Sequence, residues 1–128
     1  MFVVFLPSQK IDESENFYEN IMGFYDDVHG YRLNIKGYEN ICIRPQIGGD
    51  KYPAGHCYFR YEIESNFLTY CKNLMDKGVE FRIIAMTPGG YGGIVIDPDG
   101  NEFIVECPEF EDDDSSINPN NWECYRRY

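Results

Sequence analysis

Few side chains in this sequence are suited to chemistry, and their spacing excludes most familiar catalytic devices. The 128 residues include two histidines, His29 and His56. His29 stands beside Gly30 in a turn-like stretch. His56 is therefore the candidate general base, and a buried imidazole bonded to a neighbour is its structural alternative. Five cysteines (Cys42, Cys57, Cys71, Cys107, Cys124) contain no Cys-x-x-Cys pair, which argues against a zinc ribbon or a dithiol redox centre. Cys57, Cys71 and Cys107 sit among apolar neighbours, where a thiol packs as a small hydrophobe. No Gly-x-Ser-x-Gly elbow is present, so a hydrolase triad has no support. The run Gly89-Gly90-Tyr91-Gly92-Gly93 lacks the lysine and following helix of a phosphate loop. It reads as a flexible connection, or as a loop at a cavity mouth with Tyr91 as a movable aromatic wall.

The charge balance narrows the partners. Twenty-two Asp and Glu stand against eleven Lys and Arg, a formal net charge of -11. The acids are not confined to the C-terminal run at 109–114, so the excess belongs to the whole molecule. Such a surface repels phosphate backbones, which excludes nucleic acid and anionic membrane as expected partners, and it favours a cationic ligand. Solubility alone is the plainer reason for acidity. The apolar runs are far shorter than the roughly 20 residues of a membrane span. No Lys or Arg precedes the first apolar run as a signal peptide would require. A cytoplasmic location is expected, where unpaired thiols persist.

These residues must be positioned by a compact fold. The length suits one domain, or two small modules sharing one core. Residues 1–6 read as a strand closed by Pro7, and residues 14–22 as a helix with Phe17, Ile21 and Met22 at helical spacing and Gly23 as its stop. Residues 24–28, 31–36 and 40–44 read as strands joined by tight turns. After a linker at 45–55 the order recurs. Residues 56–63 form a strand. A helix over 66–77 carries Ser65 as N-cap and Gly78 as stop. Strands follow at 79–86, 93–96 and 103–107, the last two joined by the turn Asp97-Pro98-Asp99-Gly100-Asn101. The helices echo each other, Glu19-Asn20-Ile21-Met22-Gly23 against Lys72-Asn73-Leu74-Met75. Two βαβββ units of about 50 residues in one order are the mark of an internal repeat.

Three landmarks carry a resemblance. They are Phe17-Tyr18-Glu19-Asn20-Ile21-Met22-Gly23-Phe24, Gly55-His56 at the start of the second module, and Asp97-Pro98-Asp99-Gly100-Asn101 before the last strand. In order and spacing they resemble the vicinal-oxygen-chelate superfamily, which includes glyoxalase I, ring-cleaving dioxygenases, fosfomycin-resistance enzymes and bleomycin-resistance proteins. The resemblance covers residues 1–107. It implies an α+β fold of two tandem βαβββ modules, 1–48 and 54–107, forming a curved mixed sheet around a central cavity. Residues 108–128 would then be an acidic linker followed by an aromatic extension with Trp122, Tyr125 and Tyr128. That extension would dock on the domain, cover a sheet edge or reach a partner subunit.

In the enzymes of this superfamily the cavity holds a divalent metal. The resemblance puts Val3 at the first-strand ligand position, where His is usual, and Ile104 where Glu is usual. His56 keeps the second-module position, and Cys42 falls near the fourth-strand one. Neither Val3 nor Ile104 can ligate, and a catalytic site needs about three protein ligands. The expectation is therefore no cofactor and no catalytic metal, with His56, Glu106 and Cys42 as a fallback ligand set for a lyase or dioxygenase. Side chains two apart on a strand share a face, so the implied cavity lining is Phe5, Cys42, Arg44, His56, Tyr58, Ile104 and Glu106, joined by Tyr91. Arg60 follows Tyr58 on that face. Size, acidity and missing ligands make the chain most similar in kind to the metal-free bleomycin-resistance proteins. It is expected to be a homodimer that sequesters a cationic aromatic small molecule without altering it. The remaining alternative is a scaffold whose cavity is packed shut.

Overall fold

The structure, a computed structural model, describes residues 2–26, 33–34, 37, 41–50, 53–55 and 59–128. The chain divides into two compact units. One comprises Met1–Cys57 with Asp97–Asn101, the other Tyr58–Ile96 with Glu102–Tyr128.

In the first unit the β-branched and aromatic run at the N-terminus forms β1 (Phe2–Pro7). Strands β2 (Tyr25–Asp26) and β3 (Leu33–Asn34) follow, then β4 (Ile41–Gln46). Their order is β1-β4-β3-β2, with β1 parallel to β4 and the other pairs antiparallel. The strand expected to stop before Pro45 runs through it. Pro45 pairs with Leu6 of β1 in the parallel ladder. The helix expected over 14–22 starts earlier, as α1 (Ile11–Asn16), with Asp12 and Glu13 in its first turn. It continues as a π-helical stretch, Phe17–Ile21. Gly23, at φ +74°, stops it, and the Phe24 N–H donates back to the Tyr18 carbonyl at 2.8 Å. The Tyr18 ring stacks on Phe24 with centroids 5.9 Å apart and meets the edge of Phe17 at 5.0 Å.

The turn Asp97–Asn101 is the polar knot of this unit. Asp97 accepts from the Asn101 and Asp99 N–H groups at 2.8 and 2.9 Å and from the Tyr18 hydroxyl at 2.8 Å. Asn101 donates to the Pro7 carbonyl at 2.8 Å and accepts from the Gly55 N–H at 2.7 Å. Burial raises the Asp97 carboxyl above its ordinary range, against the bonds from Tyr18 and Asn101. Asp99 takes the Ser8 hydroxyl and the Gln9 N–H, the latter at 2.8 Å.

The second unit contains β5 (Arg60–Glu62), α2 (Phe67–Asp76), β6 (Glu80–Thr87), β7 (Gly90–Ile96), β8 (Glu102–Cys107) and β9 (Tyr125–Arg127). Its order is β5-β8-β7-β6-β9, with β5 parallel to β8. Without β9, this repeats the order and the parallel pair of the first sheet, as the internal repeat requires. Along β8, Phe103, Val105 and Cys107 are buried while Glu102, Ile104 and Glu106 are half-buried. The buried set faces α2, whose Phe67, Leu68, Cys71 and Leu74 form its own buried stripe. Burial raises the Cys71 thiol, so it packs as a hydrophobe.

Three expectations are corrected in this unit. The glycine-rich run is not a loop, because Gly90 to Gly93 lie in β7. Glycine is required at 90, where a Cβ would meet the Cys107 carbonyl oxygen at 2.3 Å, while a Cβ on Gly93 would crowd the Phe81 ring at 3.3 Å. The N-cap of α2 is Asn66, at φ 60° and without a side-chain cap bond of its own, rather than Ser65. The missing cap comes from far along the chain. Asp112 accepts the Thr69 N–H at 2.8 Å and also the Thr69 hydroxyl.

The segment read as a solvated acidic linker is therefore tied down. Asn66 accepts the Asp113 N–H at 2.8 Å, a short 3-10 turn spans Pro119–Asn121, and β9 adds to the outer edge of β6. A run of acids signals solvation in sequence, yet a carboxylate also satisfies the free N–H groups of a helix start. Among the described residues, no helix is long and apolar enough to cross a membrane.

Candidate functional site

The inferred lining residues fall on sheet faces set by strand register. In the first unit, Val3 pairs with Cys42 and Phe5 with Arg44, which puts these four on one face. Cys42 is fully buried, Phe5 half-buried and Arg44 exposed. In the second unit, Arg60 pairs with Ile104 and Glu62 with Glu106 across β5 and β8. Gly92 and Ile94 of β7 lie opposite Glu106 and Ile104, continuing that face toward Ala85 and Ile83 of β6. The result is a half-buried apolar strip, Ile83, Ile94 and Ile104, bordered by Arg60, Glu62 and Glu106. His56 and Tyr58 lie outside the described residues.

Where this face meets the 87–90 turn, a pocket of about 300 Å³ is lined by residues that include Glu62, Thr87, Gly90, Tyr91, Gly92 and Glu106. Sequence reasoning found Glu106 and Tyr91 but missed Glu62, which shares its strand face with Arg60. Arg60 lies 3.5 Å from Glu106, a pair with the guanidinium largely in solvent. An exposed pair of that kind is worth at most about 1 kcal/mol, so it holds Glu106 only weakly. With Glu62 beside it, the pocket carries two carboxylates against one arginine. The glycines leave backbone on its wall without side-chain bulk.

Tyr91 takes a different place from the one expected. Its strand position shares the helix-covered face with Gly93 and Val95. There the ring stacks on Phe67 at 5.3 Å and meets the edge of Phe110 at 5.7 Å. It is a clamped ring backing the pocket wall rather than a movable aromatic flap. Burial raises its phenol, and Tyr125 and Asp112 add to the effect.

Two of the metal positions that the resemblance implies lack a donor, and a third, His56, lies outside the described residues. Val3 and Ile104 offer no donor atom, and Glu106 stands two residues beyond Ile104 with Arg60 as its near partner. Among the described residues, no group of three or more His, Cys, Asp or Glu side chains is placed to hold a metal.

No protein-family model and no curated protein matches the chain. Solved structures do. The chain is similar to TnmS3, an antibiotic binding protein from Streptomyces sp. CB03234, with TM-score 0.69 and 22% identity, over 84% of this chain and 93% of that one. It is similar at TM-score 0.69 and 20% identity to a member of the glyoxalase/bleomycin resistance protein/dioxygenase superfamily from Sphaerobacter thermophilus DSM 20745, over 84% and 95% of the two chains. A lactoylglutathione lyase from Agrobacterium tumefaciens matches at TM-score 0.61 and 15% identity, over 84% and 92%. The chain has the α+β fold of the glyoxalase/bleomycin resistance/dioxygenase superfamily. Binders and enzymes share that fold, so function has to be argued from the site.

Proposed function

We propose that this protein binds and sequesters a small cationic aromatic molecule without a catalytic metal. One domain of residues 1–107 would carry the site, with 108–128 bound to it. The observation that carries the reading is the pocket of about 300 Å³ with Glu62 and Glu106 on its wall, beside the isoleucine strip. A flat ring gains by covering half-buried aliphatic side chains. An ammonium or guanidinium group gains by meeting carboxylates in a partly enclosed site. The net charge of -11 would raise the local concentration of such a ligand. We also infer a homodimer, because the adjoining Phe2 and Val3 at the start of β1 lie in solvent at 79% and 48% exposure.

The test is a melting-temperature panel on the full chain with proflavine, a flat cationic acridine, beside EDTA, Zn, Ni, Mn, Fe(II) and Mg. A micromolar site at millimolar ligand stabilises by about 4 kcal/mol, a rise of several degrees. A rise with proflavine and none with the metals is the expected result. A rise with one metal, abolished in His56→Ala, would replace this reading with a lyase or dioxygenase using His56, Glu106 and Cys42. A flat response to every addition would favour the scaffold.

A further inference from the structure

The segment after β8 does more than cover an edge. Phe110 meets the Tyr91 ring at 5.7 Å from one side, and Phe67, the first residue of α2, stacks on it at 5.3 Å and 4° from another. Both neighbours are fixed by the same few bonds. Asp112 holds the first turn of α2 through the Thr69 N–H and hydroxyl, and Asp113 bonds Asn66 immediately before it. Tyr91 lies in β7 between Gly90 and Gly92, and all three residues line the pocket. Glycines on either side leave this short piece of strand with little side-chain packing of its own. The ladders to β6 and β8 hold its backbone, and the clamped tyrosine is the side chain that ties it to α2. Farther on, β9 lies beside β6, and the Tyr128 N–H donates to the Met86 carbonyl at 2.8 Å. Met86 in turn pairs with Tyr91.

The geometry points to Phe110 and Asp112 as positioning residues of the pocket: the C-terminal segment is a strap that fixes the β7 wall by clamping Tyr91 against α2. The inference rests on reading this pocket as the ligand site, but the strap itself can be tested without a ligand. Neither residue touches the proposed ligand. Each acts through Tyr91, Phe110 directly and Asp112 by way of α2 and Phe67. A purely structural role, capping α2 and covering an edge, would loosen the start of α2 and the segment itself and leave the pocket wall alone.

Hydrogen exchange on the full chain separates the two. In Phe110→Ala and in Asp112→Asn, amides of residues 89–93 should exchange at least about tenfold faster than in the wild type, with Phe110→Leu in between. Faster exchange confined to residues 66–70 and 109–128, with 89–93 unchanged, would overturn the inference. Proflavine titration supplies the functional arm. Its dissociation constant should rise about fivefold in Phe110→Ala, and an unchanged constant would remove the strap from the site. If proflavine binds neither protein, the sequestering function falls, and the exchange pattern alone decides whether the strap holds the wall.

Discussion

The two sheets answer the same topological problem differently. β1-β4-β3-β2 and β5-β8-β7-β6 have one strand order and one parallel pair each. In the first unit, a buried polar knot around Asp97 and Asn101 binds helix, strand end and turn together. In the second, β6 and β7 run eight and seven residues, and an extra strand with a capping aspartate finishes the unit. A repeat fixes strand order, whereas each copy is completed by contacts that the repeat pattern does not contain. The pocket lies in the copy completed by the strap.

Removing residues 109–128 should have the largest effect on this contrast. A helix cap alone is worth about 1 kcal/mol, so losing it together with β9 and Phe110 should cost at least about 2 kcal/mol. Thermal unfolding should show a fall of roughly 5–10 °C. An unchanged melting temperature would mean that the second unit is complete without its strap. Tyr18→Phe probes the other knot. It deprives the buried Asp97 of its hydroxyl donor and should cost about 1–2 kcal/mol in urea unfolding. A neutral result would show that the backbone donors of the turn suffice.

Asp112→Asn separates the cap from the rest of the strap. Burial works against the Asp112 carboxylate, but the bonds from Thr69 outweigh it and lower its pKa from the ordinary 3.8. The unfolded chain then holds that proton more tightly than the folded one. The contribution is full above 3.8 and is lost as pH falls through the lowered value. The stability gap between wild type and variant, about 1 kcal/mol at neutral pH, should therefore narrow in acid. A gap independent of pH would assign the effect to packing. Arg82→Ala, which breaks the 2.9 Å pair with Glu102 at the surface, should change stability by less than about 1 kcal/mol. A larger loss would mean that this pair belongs to a network not evident from its exposure.

The parts legible in the sequence were those with local causes. Gly23 and Gly78 end helices, Asp97 and Asn101 close a turn on each other, and alternation along residues 102–107 separates Ile104 and Glu106 from the buried set. What escaped was non-local. The acids at 111–114 read as solvated because charge density is a local property, while the N–H groups that Asp112 satisfies lie more than forty positions away. Gly90 to Gly92 read as loop because glycine is depleted in strands; the reason for Gly90, the close approach of the Cys107 carbonyl, is tertiary. Once the run became strand, parity sent Tyr91 to the helix-covered face. Glu62 was overlooked because parity was carried from His56 to Arg60 and stopped one pleat short.

The most direct measurement is calorimetric titration of proflavine into EDTA-treated full-length protein, wild type and the double variant Glu62→Gln, Glu106→Gln. The account predicts saturable binding to the wild type, with affinity at least about tenfold weaker once both carboxylates are neutral. Absence of saturable heat in the wild type, or equal affinity in the two proteins, would contradict it.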